Sequence, residues 1–467
     1  MNFAEIRFWV LLFTALAVLL AVRVVVLRIR CQATQTYDKL ALLGVGLFLL
    51  EKVSTITFAI FLLVAVGTYW ALVGIQRLPE RRHSRTLWIL VPLQFLPLLY
   101  YKYFGFLSRE FGGADWEYLR DLAIPVGISF YTFQKVGFAV DTIKFGHKLP
   151  KFLDYLNFAA FFPQIVAGPI ERRGDLLPQV QDFRFRWLPG EIVEGISYII
   201  LGLFLKCCLA DNLAGIDFDD STNNPFAIWV ANLIFGFRIY YDFAGYSMVA
   251  LGIARCLGVS LSLNFRSPYC STSATEFWRR WHVTLSHWFR DYVYVPLGGG
   301  RVNYWFLNVL VVFLLSGIWH GAGWNFVLWG ALHGAALILH RIFSKRFQLP
   351  AALGWMITMG FVSLTWLCFY ETRTAVLFSK LQTLFDLRTY TFTTLKEAAM
   401  FWEGAQGLLL LFFGIFAGCV LALEWFSLRR GLEPYWHLRR PKILAALVIL
   451  TVLLAPSENN GFIYFAF

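Results

Sequence analysis

"FLLSGIWHGAGWNFVLWGALHG", residues 313–334, sets one imidazole, His320, between an indole and a glycine inside an otherwise apolar run. Roughly 17–25 apolar residues cross a bilayer, and an ionisable group within such a run is costly, so it faces a protein interior. Taken alone, His320 reads equally as a packed, hydrogen-bonded core residue or as part of a site. His333 and His340, on the next apolar stretch, read as packing residues. Gly317 before His320, and Gly321 and Gly323 after it, would let a backbone or a ligand's carbonyl approach the ring closely.

The composition around this stretch sets the class. Of 467 residues, 58% are hydrophobic and only 15% charged, and the mean hydropathy is +0.60, far above that of water-soluble domains. The chain reads as an integral membrane protein, all-α and polytopic, since helices satisfy their own backbone in lipid. Apolar stretches lie near 7–27, 39–50, 53–76, 86–106, 190–210, 225–241, 245–262, 303–319, 324–343, 351–370, 407–426 and 441–455. They predict about 11–12 transmembrane helices in one membrane domain over 1–467. Within it, N-terminal spans fill 1–110, a core 120–345 and C-terminal spans 350–467. Arg23, Arg28 and Arg30 follow the first apolar run with no small-residue cleavage site before them, so that run reads as an anchor.

Seven cysteines, an odd count without a CxxC pair, point away from disulfides and from zinc, and no metal site is expected. The net charge of +12 does not imply nucleic acid, because the basic residues cluster in short loops, where they orient spans. Loops 28–39, 77–85 and 427–442 are net basic and are expected in the cytoplasm, whereas 107–121 is net acidic. That pattern puts the N-terminus outside.

Three stretches are broken by proline, glycine or charge: "IPVGISFYTFQKVGF" (124–138), "FAAFFPQIVAGPIERR" (158–173) and "EFWRRWHVTLSHWFRDYVYVPLGGG" (276–300). Irregular backbone at membrane depth must be buried in protein or line a wet cavity, so these stretches suggest re-entrant helices around an internal chamber. Placed on one helix, 276–292 gathers Phe277, Trp278, Trp281, Leu285, Trp288 and Tyr292 on one stripe. The opposite arc collects Glu276, Arg279, Arg280, His282, Ser286, His287, Arg290 and Asp291. Such a helix either rests on the cytoplasmic leaflet or re-enters the membrane with its charged face inward.

Asp242 in "YYDFAGYS" lies four residues after Arg238, a spacing that suits a self-neutralising pair or a supporting role beside the chamber.

Six stretches in order, "IPVGISFYTFQ", "FFPQIVAGPI", "YYDFAGYSMVALGIARCLG", "NFRSPY", "EFWRRWHVTLSHWFRDYVYVPLGG" and "SGIWHGAGWNFVLWGALHG", with a "GFIYFAF" tail, resemble the membrane-bound O-acyltransferase (MBOAT) family. The resemblance is to its bacterial branch, typified by the alginate O-acetyltransferase membrane subunit. It implies the MBOAT fold and a location in the bacterial cytoplasmic membrane. It also implies acyl transfer from a thioester donor to a hydroxyl, with His320 catalytic and His282, in the "RWH" context, supporting it. Two departures, Met248 after "GYS" and "QKVGF" at 134–138, bear on acceptor or partner.

Within that reading, His320 is the general base, since imidazole titrates near neutrality and takes a hydroxyl proton. Acetyl-CoA is the expected donor, with no permanently bound cofactor. Arg279, Arg280 and Arg290 are candidates to hold its phosphates, or else they only flank the membrane. Trp281, Ser286, Asp291, Asp242 and Trp319 are candidates to line the chamber. The expected setting is O-acetylation of an exported polysaccharide with an extracytoplasmic, SGNH-type acetyltransferase or esterase partner. D-alanyl transfer to teichoic acid and membrane transport are the alternatives.

Overall fold

The structure, a computed structural model, describes residues 3–29, 34–111, 123–166, 168–216, 224–344, 346–400, 405–456 and 460–463. Most of loop 107–121 and residues 464–467 of the tail lie outside them. The described residues are overwhelmingly helical. Seven helices are long and apolar enough to cross a membrane: Ile6–Val25, Thr55–Gln76, Glu80–Phe111, Pro189–Ala214, Trp324–Phe343, Ala351–Tyr370 and Gly407–Arg429. Two shorter apolar helices, Trp305–His320 and Pro441–Leu454, accompany them. This is a multi-pass, all-α membrane protein.

The apolar stretches at 225–241 and 245–262 are not two spans. They form most of a single helix, Pro225–Cys256, because nothing between them breaks it: Asp242 is charged but ion-paired, and Gly245 is where the helix meets the backbone at Gly202. The large apolar side chains left outward on the spans, among them Leu63, Trp88 and Val452, suit a hydrocarbon surround.

Residues group into two compact units, 1–199 with 247–263, and 200–246 with 264–467. In the first, Ser54 caps Thr55–Gln76 by accepting from the Thr57 amide (3.3 Å). Pro92 and Pro97 inside Glu80–Leu98 lead into a π-helical turn, Leu99–Tyr103. The "IPVGISFYTFQKVGF" stretch forms helix Ile128–Lys144, while "FAAFFPQIVAGPIERR" breaks into short pieces, Phe152–Ala159 and Phe162–Ile165. The two motifs meet at Gly127, whose positive φ (75°) and proximity to the backbone at Ile165 and Val166 leave no room for a side chain. Lys135 is fully buried with its Nζ over the rings of Phe61 (4.1 Å) and Tyr131 (4.5 Å). In the second unit, helices Trp305–His320 and Trp324–Phe343 pack as a hairpin that carries His320.

Candidate active site

All of the site residues named from sequence lie in the second unit. Helix Trp305–His320 ends at His320, where Gly321 turns to extended backbone and its amide reaches back to Gly317 O (3.3 Å). The imidazole is 2% exposed and meets three rings edge-on: Trp319 (4.8 Å), Trp329 (5.0 Å) and Phe369 (5.2 Å). Phe369 is held in turn, because the Asn325 amide donates to Cys368 O (2.7 Å). The glycines allow the close backbone approach that their positions suggested. A methyl on Gly317 would overlap the Phe326 carbonyl, one on Gly330 the Phe313 carbonyl, and one on Gly321 the Phe326 ring. They let the hairpin close.

The stretch 276–292 is not one helix. Ala274–Arg280 and Val283–Phe289 are separate, broken at His282, which adopts left-handed backbone (φ 42°, ψ 55°), and a π-helical turn, Arg290–Tyr294, follows. The break takes Arg279 off the arc it would share with His282, while Ser286 stays one turn from His282, its amide donating to His282 O (3.0 Å). What holds the break is the "NFRSPY" segment: Val283 N donates to Asn264 O (2.9 Å), and Arg266 N donates to Arg280 O (2.9 Å).

Asn264 also sets the imidazole of His282. Its side-chain oxygen accepts from the Thr284 amide (3.3 Å) and the Thr284 hydroxyl (2.9 Å), and it lies 3.1 Å from His282 Nδ1. A backbone amide can only donate, so the contacting atom is the carbonyl oxygen and His282 Nδ1 must carry a proton. In the neutral ring the lone pair is then on Nε2. His282 is fully buried, edge-on to Phe243 (4.8 Å) and to Trp319 (5.9 Å). One indole, Trp319, thus separates His282 from His320.

His333 has both nitrogens engaged, accepting from Trp278 Nε1 (3.2 Å) and bonding Thr365 Oγ1 (3.0 Å), which makes it a structural residue. Trp281 is 1% exposed and stacks on Phe277 (5.6 Å) and Tyr269 (6.3 Å). Ser286 is half-buried. Of the arginines, Arg279 is exposed. Arg280 binds Glu276 (2.7 Å) and Arg266 O (3.2 Å). Burial opposes ionisation of Glu276, but hydrogen bonds from Thr272 and the Arg280 charge hold its carboxyl below its usual value. Arg290 pairs with the adjacent Asp291 (2.7 Å).

Asp242 pairs with Lys206 (2.7 Å), from a π-helical turn Phe204–Ala210, and not with Arg238. The same ammonium meets Asp211 (2.7 Å) and the carbonyl of Asn460 (2.9 Å), and Ile463 N donates to Asp242 (2.6 Å). Phe462 then packs on Tyr246 (4.6 Å) and on Phe243 (5.4 Å), the residue that faces His282. Sequence reading missed Asn264 and Lys206. The "NFRSPY" stretch was visible as a motif, but its partners stand in the next motif, with Thr284 twenty residues on, beyond any local spacing rule.

The MBOAT, membrane-bound O-acyltransferase family model matches residues 81–363, more than half of the chain. A peptidoglycan O-acetyltransferase of Helicobacter pylori is 35% identical over 345 residues, 65% of this chain and 65% of the relative. The chain therefore spans slightly less than two thirds of that protein's length. A protein of Pseudomonas aeruginosa named "Probable alginate O-acetylase AlgI" is 32% identical over 405 residues, 82% of this chain and 75% of the relative. A teichoic acid D-alanyltransferase of Streptococcus thermophilus is 29% identical over 239 residues, 47% of this chain and 58% of the relative. Taken with the buried histidine pair, these matches make the chain a member of the membrane-bound O-acyltransferase family.

Proposed function

We propose that the protein is an O-acetyltransferase that moves an acetyl group from acetyl-CoA to a hydroxyl, for O-acetylation of an exported or cell-surface polysaccharide. The observation that carries this reading is the pair of buried imidazoles on either side of Trp319, one of them with its tautomer set by Asn264. His320 takes the proton of the attacking hydroxyl. The hydroxyl oxygen forms an ester bond to the acetyl carbon, the thioester C–S bond breaks, and the proton passes to the departing thiolate as coenzyme A thiol. Base catalysis of this kind supplies about 10²–10⁴-fold. His282, buried beside it, orients a reactant or steadies the charge that develops on the carbonyl oxygen.

Arg279 is the cation most open to donor phosphates, since Arg280 and Arg290 already hold carboxylates. The donor enters from the cytoplasm, the N-terminus lies outside the cytoplasmic membrane, and an extracytoplasmic SGNH-type partner completes transfer to the polysaccharide. Acetyl transfer is favoured over D-alanyl transfer because the alignment with the alginate relative runs over 82% of this chain, against 47% for the D-alanyltransferase. The test is release of coenzyme A from labelled acetyl-CoA by purified protein in detergent, with His320→Ala as control. Release that depends on His320 supports the reading, whereas D-alanine transfer from a charged carrier protein without acetyl-CoA cleavage overturns it.

A further inference from the structure

Three non-glycine residues among those described have positive φ: Ser267 (54°), His282 (42°) and Tyr435 (62°). Backbone of this kind persists only where its surroundings over-determine it. Two of the three, His282 and Tyr435, lead to one side chain, Tyr240. Its hydroxyl lies 2.9 Å from both carboxyl oxygens of Glu424 and 3.0 Å from the Tyr435 hydroxyl. Tyr240 donates to Glu424 and shares a hydrogen bond with the Tyr435 hydroxyl. All three side chains are fully buried.

The ring of Tyr240 faces the catalytic side. It packs on Phe265 (6.0 Å) and Trp281 (6.1 Å), which also meet each other edge-on at 5.0 Å. Phe265 directly follows Asn264, and Trp281 directly precedes His282. The ring therefore braces the two residues next to the Asn264–His282 hydrogen bond. Glu424 and Tyr435 lie beyond the 81–363 family match, on helix Ala405–Arg429 and in the loop after it.

We infer that Glu424 is a positioning residue for His282: by accepting from the Tyr240 hydroxyl it fixes Tyr240 against Phe265 and Trp281, and so holds the left-handed turn that aims the imidazole. The inference rests on the role of His282 in acyl transfer proposed above. A carboxyl group buried at such depth would be a poor stabilising device by itself, since desolvation opposes it. Its value here is directional, because two hydroxyls and one carboxyl fix the rotation of one ring.

The experiment uses the full chain in detergent, with Tyr240→Phe, Glu424→Ala and Glu424→Gln. Hydrogen exchange of the peptide spanning 281–286 is followed beside kcat and KM for acetyl-CoA and the thermal midpoint. Tyr240→Phe and Glu424→Ala are expected to speed exchange in that peptide at least about tenfold, beyond the change in peptides elsewhere that the lower thermal midpoint brings. They are also expected to lower kcat about tenfold or more with KM unchanged, the pattern of a lost transition-state interaction. Glu424→Gln keeps an acceptor and should restore most of both. Should Glu424→Ala fail to fold, Tyr240→Phe still decides, since it removes one oxygen and keeps the ring. Exchange and kcat per folded molecule that stay at wild-type values overturn the inference. Exchange that responds in a protein unable to cleave acetyl-CoA leaves the bracing intact and removes the function proposed above.

Discussion

Asn264 and His282 are joined by a 3.1 Å hydrogen bond in which the asparagine oxygen accepts, and that one contact decides which imidazole nitrogen carries the lone pair. The same oxygen serves Thr284 twice, so its orientation is over-determined. Replacing it removes an acceptor from three buried donors. Asn264→Ala should cost about 1–3 kcal/mol of stability, the usual penalty for a buried group left unsatisfied. It should also lower coenzyme A release at least about tenfold, by freeing the imidazole to take the other tautomer. Asn264→Asp, which retains the acceptor, should be the milder change in rate. Equal rates for Ala and wild type would remove His282 from the mechanism.

The two histidines face one indole, and their effects should not add. His320→Ala is expected to lower coenzyme A release by about 10²–10⁴-fold, the value of a positioned base. His282→Ala should fall short of that. The double variant should be close to His320→Ala alone, since residues that act as a unit lose their function together. Steady-state release from labelled acetyl-CoA, normalised to folded protein, measures this, and strictly multiplicative losses would contradict a shared step.

Much of this site was legible before any geometry. Its flanking residues left His320 equally a packing or a site residue, and it was the resemblance carried by six ordered motifs that singled out His320 and His282. Periodicity misled at 276–292, because a helical wheel has no means of seeing a left-handed residue at 282. Asp242 was matched to Arg238 by i, i+4 spacing, whereas its cation is Lys206, thirty-six residues away in sequence but adjacent in space. Nothing local announces Glu424 or Tyr240 either. Their meaning comes from contacts between elements nearly two hundred residues apart, which no window of sequence contains.

In the first unit, Glu171 accepts from Ser262 N (2.5 Å) and Ser262 Oγ (3.1 Å) while only 3% exposed. Burial outweighs these hydrogen bonds and raises its carboxyl from about 4.5 to about 7. The folded chain therefore binds this proton more tightly than the unfolded chain. Its contribution to stability is fully present below about pH 4.5 and is lost as pH rises through about 7. Glu171→Gln should flatten that part of the stability profile, with the larger gain over wild type above pH 7. Thermal midpoints in detergent from pH 5 to 8 test it, and parallel profiles for the two proteins would show that Glu171 is not the titrating group.

Lys206 sits between two carboxylates, Asp211 and Asp242, with a tail carbonyl as its third partner. All three charged groups are almost wholly buried. A buried charge left alone is far costlier than a buried pair, so Lys206→Met, which strands two carboxylates, should cost about 3–5 kcal/mol. Asp242→Asn leaves the ammonium one carboxylate, Asp211, and should be milder. It should still loosen the tail, because Ile463 N loses a charged acceptor. Phe462, next to that amide, packs on Phe243, and Phe243 on His282, so the loosening reaches the imidazole through two ring contacts. The double variant Lys206→Met with Asp242→Asn should be more stable than Lys206→Met alone, since it strands one carboxylate instead of two. Thermal midpoints order the three proteins. If Lys206→Met is as stable as wild type, the trio is not an ion-paired latch.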